Sequence, residues 1–279
     1  MIILTEPMIF DHRIDPILVS LGPFTVRYYG LLIVFGILVS LLSWRLLLKN
    51  DKEKFTVLFD LLVWLIIGGT IGARLGHVFF YEWSYYSHNL LEILMIHRGG
   101  LSSHGLTIGL AITFILFIQI KHIKIRDYID LVIIPIPLLV VCIRLANFIN
   151  SEIVGRVTGG EWGVRFHLFE RSAVLRHPSQ LYEAFLGLFI FVVVLFSYKY
   201  FTVKKKIPYV TFSLFIFLYF TTRFLVEFFK EYQTLSASSP LTMGQYLSIP
   251  FIVISLVFFV LIYMQSNKGS KRKILIDKK

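Results

Sequence analysis

Only one cysteine, Cys142, occurs among the 279 residues. A single thiol excludes an internal disulfide and a thiolate metal cluster. There is no HExxH, and His97 and His104 stand seven apart across a glycine turn, so the ligand spacing of a metal site is missing. No GxSxG elbow is present either. The chain lacks a repeat of about 20–50 residues and an inverted pair of broken helices, which weakens a transporter reading. Its first residues, MIILTEPMIFDHRIDP, lack the basic start and long apolar core of a signal peptide and carry Glu6, Asp11 and Asp15. They are read as an extracytoplasmic segment lying against the membrane surface. Acidic side chains are scarce as well, 17 Asp and Glu against 28 Lys and Arg, for a net charge of +11.

What the chain has in abundance is apolar sequence. Hydrophobic residues make up 56%, with 27 Phe, and the mean hydropathy is +0.74. Soluble domains sit nearer 45–50%, so this surface is too greasy for a water-facing shell. Apolar runs long enough to cross a hydrocarbon core of about 30 Å recur at 28–48, 58–80, 101–120, 129–149, 179–200, 208–229 and 244–264. The pattern predicts an all-α polytopic membrane protein with seven transmembrane helices, a single integral membrane domain over 1–279. Residues 150–178 are rich in Gly and charge and are expected to form a small extracytoplasmic cap.

The basic excess is ordered. Arg45, Lys49, Lys52 and Lys54 follow the first span, and Lys121, Lys124 and Arg126 the third. Lys199, Lys204, Lys205 and Lys206 follow the fifth, and Lys268, Lys271, Arg272, Lys273, Lys278 and Lys279 the seventh. Every second connection is thus basic, which predicts an external N-terminus and a cytoplasmic C-terminus. Topology and anionic lipid headgroups account for the charge, and no nucleic-acid partner is implied.

Against this background the intramembrane polar residues stand out. Arg74, Arg144, Arg223 and Glu227 lie inside spans, with His77, His104, Asn147 and Tyr29 near span ends. Each central Arg costs about 2.5–3.5 kcal/mol on insertion scales, so such residues need a reason. Counted from the basic ends, the three arginines rise about 22–24 Å at 1.5 Å per residue, into the outer leaflet. Arg144, Asn147 and Ser151 share one helical stripe; Tyr219, Arg223, Glu227 and Lys230 share another. Arg223 and Glu227 could merely neutralise each other, which leaves Arg144 and Arg74 without partners on their own helices. A planar guanidinium suits a phosphodiester, so Arg144 and Arg223 are read as functional. For Arg74 both readings stay open. Gly99 and Gly100 precede His104 where a loop enters the third span, a setting that allows close backbone approach and favours an anion. Gly68, Gly72 and Gly76 are read as close helix packing.

At these residues the sequence resembles the prolipoprotein diacylglyceryl transferases of bacterial plasma membranes. The likeness runs through Val26-Arg27-Tyr28-Tyr29-Gly30, GGLSSHG at 99–105, RLANFINSEIVGRVT at 144–158, HPSQLYEA at 177–184, RFLVEFFKE at 223–231 and MGQYLSIP at 243–250. It implies transfer of diacylglyceryl from phosphatidylglycerol to the lipobox cysteine of a preprolipoprotein signal peptide, giving a thioether and glycerol phosphate. It also implies Tyr29, His104, Arg144, Asn147, Glu152, Gly155, Arg223 and Glu227 as functional positions, in a multi-pass protein of the inner membrane with its site toward the outer leaflet. Leu106, Ala146 and Ser151 stand where glycine is expected, and Lys230 where arginine is expected.

The implied chemistry fits these side chains. A thiol near pKa 8.5 attacks poorly until its proton is drawn off, and a neutral His near 6.5 can assist. Tyr29 is a further catalytic candidate, and Asn147, Glu152, Gly155, Glu227, Gly99 and Gly100 are substrate-binding candidates. Negative charge builds on the departing phosphate, which Arg144 and Arg223 would stabilise. No metal and no cofactor is required; the bilayer is the remaining partner. A non-enzymatic lipid or ion transporter is the main rival. Polar groups confined to one half of the spans argue against it.

Overall fold

The computed structural model describes residues 9–22, 24–96, 99–160, 162–171, 174–232 and 239–276. The chain divides into two compact units, one of residues 1–43 and 129–279 and one of 44–128. Strands β1 (Ile9–His12), β2 (Ile17–Leu21) and β3 (Phe24–Arg27) lead into α1 (Tyr28–Leu47). Then come α2 (Lys52–Phe80), the short α3 (Trp83–Tyr86), α4 (Ser103–Ile120), α5 (Ile129–Ile133) and α6 (Ile136–Ile149). Strand β4 (Gly163–Phe166) precedes α7 (Ser179–Ser197), α8 (Val210–Val226) and α9 (Met243–Ile276). Seven helical segments are long and apolar enough to cross a membrane: Tyr28–Leu47, Lys52–Phe80, Ser103–Ile120, Ile129–Ile149, Ser179–Lys204, Val210–Phe229 and Met243–Gln265. The expected spans therefore stand within a few residues of the observed ones. The largest difference is at α2, which starts before its apolar run because the Asp51 side chain accepts from Lys54 N at 3.0 Å and caps it.

In the larger unit α6 packs on α7, α7 on α8 and α8 on α9. The fourth span is the most enclosed, with 56% of its apolar window buried against 11–33% in the others. That position explains why its polar residues meet protein rather than lipid. It is not one helix. Pro135 sits at the N-cap of α6 and Pro137 in its first turn, so the expected continuous helix is broken into α5 and α6. Buried Asp130 on α5 turns the break to use. Its carboxylate accepts from Tyr209 N at 3.0 Å, Phe212 N at 2.9 Å and Thr202 Oγ1 at 2.8 Å. It thereby satisfies amides at the start of α8, where Tyr209 is held at φ 68°. A Thr242–Gln245 capping box opens α9: Gln245 N donates to Thr242 Oγ1 at 3.2 Å and Thr242 N donates to Gln245 Oε1 at 2.9 Å.

Two small sheets join this all-α frame. β2 and β3 pair antiparallel, and β1 pairs parallel with β4, Ile9 opposite Gly163 through His12 opposite Phe166. The described part of the N-terminal segment thus contains a strand that pairs with the connection between the fourth and fifth spans. A small core of Val154, Val164 and Phe166 lies beneath, with Phe148 against it.

In the smaller unit α2 and α4 cross along their glycines. A Cβ at Gly72 would lie 2.6 Å from Gly109 Cα, and one at Gly68 would collide with the Thr113 side chain. The close packing read from the glycine spacing is what the helices do.

Candidate active site

In the larger unit Arg144, Asn147 and Asn150 leave one face of the last turns of α6, and the chain then doubles back through Glu152. Asn147 Nδ2 donates to Glu152 Oε2 and Asn150 Nδ2 to Glu152 Oε1, both at 3.0 Å. Arg144 Nη1 donates to Asn147 Oδ1 at 3.3 Å. The Tyr29 phenol on α1 lies beside Asn147, with Arg144 and Glu152 as charged neighbours. Tyr29, Arg144, Asn147 and Glu152 therefore form one cluster; helical spacing joins Arg144 to Asn147, while Glu152 is implied only by the resemblance.

Behind them lies a chain of buried charges that the sequence reading did not assemble. Arg144 Nε stands 3.1 Å from Glu183 Oε2 on α7, with side chains 11% and 9% exposed. Lys230 Nζ donates to Glu183 Oε1 at 2.9 Å and to Glu227 Oε1 at 3.1 Å. Thr242 Oγ1 donates to the other Glu227 oxygen at 2.8 Å. Two cations and two carboxylates balance, which is what makes their burial tolerable. Gly244 leaves the space, since a Cβ there would strike the Glu227 carboxylate. Arg144 and Glu183 meet as charges without an aligned hydrogen bond, because neither Arg144 Nε nor Glu183 Oε2 has a hydrogen-bond partner. Among the described residues the Nη2 edge of Arg144 is also without a hydrogen bond, so an anion could take that side of the fork.

The second stripe is corrected. α8 ends at Val226, and Glu227–Phe229 tighten into a 3-10 turn before extended Lys230. Glu227 pairs with Lys230 and Thr242, not with Arg223. Half-buried Arg223 makes no ion pair among the described residues; it opens on a cleft lined also by Val140, Glu183, Tyr219 and Thr222. Mutual neutralisation of Arg223 and Glu227 is therefore not how either charge is held. Lys230 suits its place: an ammonium has three donors and here bridges two carboxylates, where a planar fork would grip one.

Gly155 is buried where two backbones approach. Its N donates to His177 O at 3.0 Å, and a Cβ would lie 2.7 Å from Phe229 O. Nearby Arg176 donates to Gly155 O at 3.1 Å, Glu170 Oε1 at 2.6 Å and Glu231 Oε2 at 2.7 Å. Burial pushes the His177 imidazole below the ordinary histidine value.

In the smaller unit Arg74 is 4% exposed and fully engaged. It donates to the carbonyls of Ile93 at 2.8 Å, Gly99 at 2.7 Å, Gly100 at 3.1 Å and Glu92 at 2.6 Å. That answers the open question about Arg74: it clamps the loop before α4. Gly99 and Gly100 sit at φ 88° and 76°, and a Cβ on Gly100 would lie 2.6 Å from the His77 ring. Ser102 Oγ then caps α4 by accepting from Gly105 N at 3.2 Å. His104, one residue into the helix, is exposed and shares a 3.2 Å hydrogen bond between its Nδ1 and the Tyr81 hydroxyl. His97 and Arg98 lie outside the described residues. No group of three His, Cys, Asp or Glu able to hold a metal occurs among those described.

Two residues of this arrangement escaped sequence reasoning, Glu183 and, as an ion-pair partner, Lys230. Glu183 was legible only as a carboxylate inside an otherwise apolar run, which signals a buried partner.

A family model for prolipoprotein diacylglyceryl transferase matches residues 16–261. A phosphatidylglycerol–prolipoprotein diacylglyceryl transferase of Tolumonas auensis is 40% identical over 250 residues, 88% of this chain and 95% of the relative. Transferases of the same name from Bacteroides fragilis and Brucella anthropi are 36% identical over 276 residues and 37% identical over 255. These cover 93% and 88% of this chain and 95% and 90% of the relatives. The six sequence blocks, the seven spans and these matches agree, and the chain belongs to the prolipoprotein diacylglyceryl transferase family.

Proposed function

We propose that this protein transfers the diacylglyceryl group of phosphatidylglycerol to the lipobox cysteine thiol of a preprolipoprotein at the bacterial plasma membrane. The carbon–oxygen bond between the glyceryl carbon and the phosphate breaks, a carbon–sulfur bond forms, and glycerol phosphate leaves with the bonding electron pair. The thiol proton passes to a base, for which His104 is the candidate. The observation that carries this reading is the Nη2 edge of Arg144, which makes no hydrogen bond among the described residues while Asn147 and Glu183 engage the rest of the guanidinium. Arg223 on its cleft supplies a second guanidinium for the charge that grows on the leaving phosphate. Tyr29 and Glu152 stand beside Arg144 and Asn147. Gly99 and Gly100 precede the His104 helix.

The topology proposed with it has the N-terminus outside, the C-terminus in the cytoplasm, and the site toward the outer leaflet beneath an extracytoplasmic cap over 150–178. The alternation of basic connections supports this orientation. The test is to incubate purified protein with phosphatidylglycerol and a lipobox peptide and weigh the peptide. The expected result is a mass gain of one diacylglyceryl group on cysteine. An unmodified peptide alongside lipid flux in proteoliposomes would favour a transporter instead.

A further inference from the structure

Glu152 sits on an arch of unusual backbone. Ser151 and Ile153, on either side, have φ of 54° and 56°. Residues with a Cβ seldom adopt this left-handed region, and they keep it only where the surroundings fix it. The fixings are visible. Glu152 N donates to Asn147 O at 2.9 Å, Gln180 Nε2 donates to Glu152 O at 2.7 Å, and Ser179 Oγ donates to Ile153 O at 3.0 Å. Those all come from α6 and α7. The Ser151 side chain is held from elsewhere: its Oγ lies 3.2 Å from Nδ1 of His12, on β1.

His12 is fully buried, its ring edge-on to Phe148 at 4.7 Å and tilted against Phe166 at 5.3 Å. Its Nε2 has no hydrogen-bond partner. A buried nitrogen left unsatisfied is a cost that Phe or Leu would avoid in the same core. Packing alone therefore does not account for histidine here, whereas the bond to Ser151 does. Burial also holds the imidazole below its ordinary value, so the neutral ring makes the bond.

We propose that His12 is a positioning residue for the Glu152 carboxylate, acting through Ser151. The proposal rests on Glu152 belonging to the substrate site, as in the function proposed above. The N-terminal strand then aims a carboxylate about 140 residues away in sequence, and small errors of aim at such sites cost large factors in rate.

The test separates the bond from the ring. His12→Phe keeps the aromatic packing and loses the bond; His12→Asn keeps a polar group near the Nδ1 position and loses the ring. With the purified full chain, phosphatidylglycerol and a lipobox peptide, kcat/KM per folded molecule should fall about tenfold in His12→Phe and change little in His12→Asn. Ser151→Ala breaks the bond without touching the ring and should match His12→Phe. In a Ser151→Gly background, where glycine adopts positive φ unaided, His12→Phe should cost nothing further. Loss in His12→Asn with full activity in His12→Phe, or a fully active Ser151→Ala, would overturn the proposal. So would an undiminished effect of His12→Phe in the Ser151→Gly background. A fully active Glu152→Gln would instead sink the site assignment itself, so the two failures are distinguishable.

Discussion

Replacing Glu183 by Gln removes one negative charge from the middle of the buried quartet. Arg144 stands 3.1 Å and Lys230 2.9 Å from this carboxylate. At an effective dielectric of about 20, each contact is worth about 5 kcal/mol of gross attraction. Desolvation of the partners offsets most of it, and removing one member of such a buried set costs about 3–5 kcal/mol. The Gln amide oxygen can still accept from Lys230, so the lower figure applies, about 3 kcal/mol. For a domain of this size that corresponds to a fall of about 6–12 °C in unfolding midpoint. Intrinsic fluorescence of detergent-purified protein during a thermal ramp measures it. Glu183→Gln combined with Lys230→Met leaves Arg144 and Glu227 balanced, and should recover at least half of the loss. An unchanged midpoint in the single variant, or a double variant whose losses simply add, would refute the buried-quartet account.

Arg74→Lys should lower membrane abundance and stability by about 2–4 kcal/mol, because a single ammonium cannot serve carbonyls on both sides of the loop; quantitative blotting with a thermal shift checks it. Arg144→Lys and Arg223→Lys should reduce phosphatidylglycerol binding and turnover, with Arg223→Lys near normal in abundance, and abundance falling in step with activity would mark a structural role. His104→Asn should suppress transfer about 100-fold with lipid binding nearly intact, and a more acidic thiol substrate should recover part of the rate. Because burial depresses the His177 pKa, the unfolded chain takes up its proton first as pH falls through about 6.5. His177 therefore contributes a loss of stability on acidification, and the midpoint drop between pH 8 and 5.5 should be smaller in His177→Gln.

Length and hydropathy made the spans legible, since little else can occupy 20 apolar residues in sequence. The break at Pro135 was equally visible in the residues but hidden by the unbroken apolar run around it. Arg144 and Asn147 were legible because one helical stripe brings them together, whereas Glu152 came from the family resemblance and Ser151, placed on that stripe, bonds His12 instead. The Tyr219–Lys230 stripe misled because it assumed α-helical spacing through a stretch that tightens after Val226. Glu183 was missed for a different reason: its partners come from α6 and from beyond α8, and no local pattern announces a contact 39 or 47 residues away. The pairing of β1 with β4 is longer still in range and left no mark in periodicity.

That pairing has a consequence for how the protein is made. Ile9–His12 cannot find its neighbour until Gly163–Phe166 has been synthesised, about 150 residues later. At about 5–20 residues per second the first strand waits about 8–30 s with its edge unpaired. A strand edge without a partner is open to other chains. Only four residues long and bearing Asp11, β1 is a poor template for such errors, and it pairs with β4 only when the fourth span is already complete.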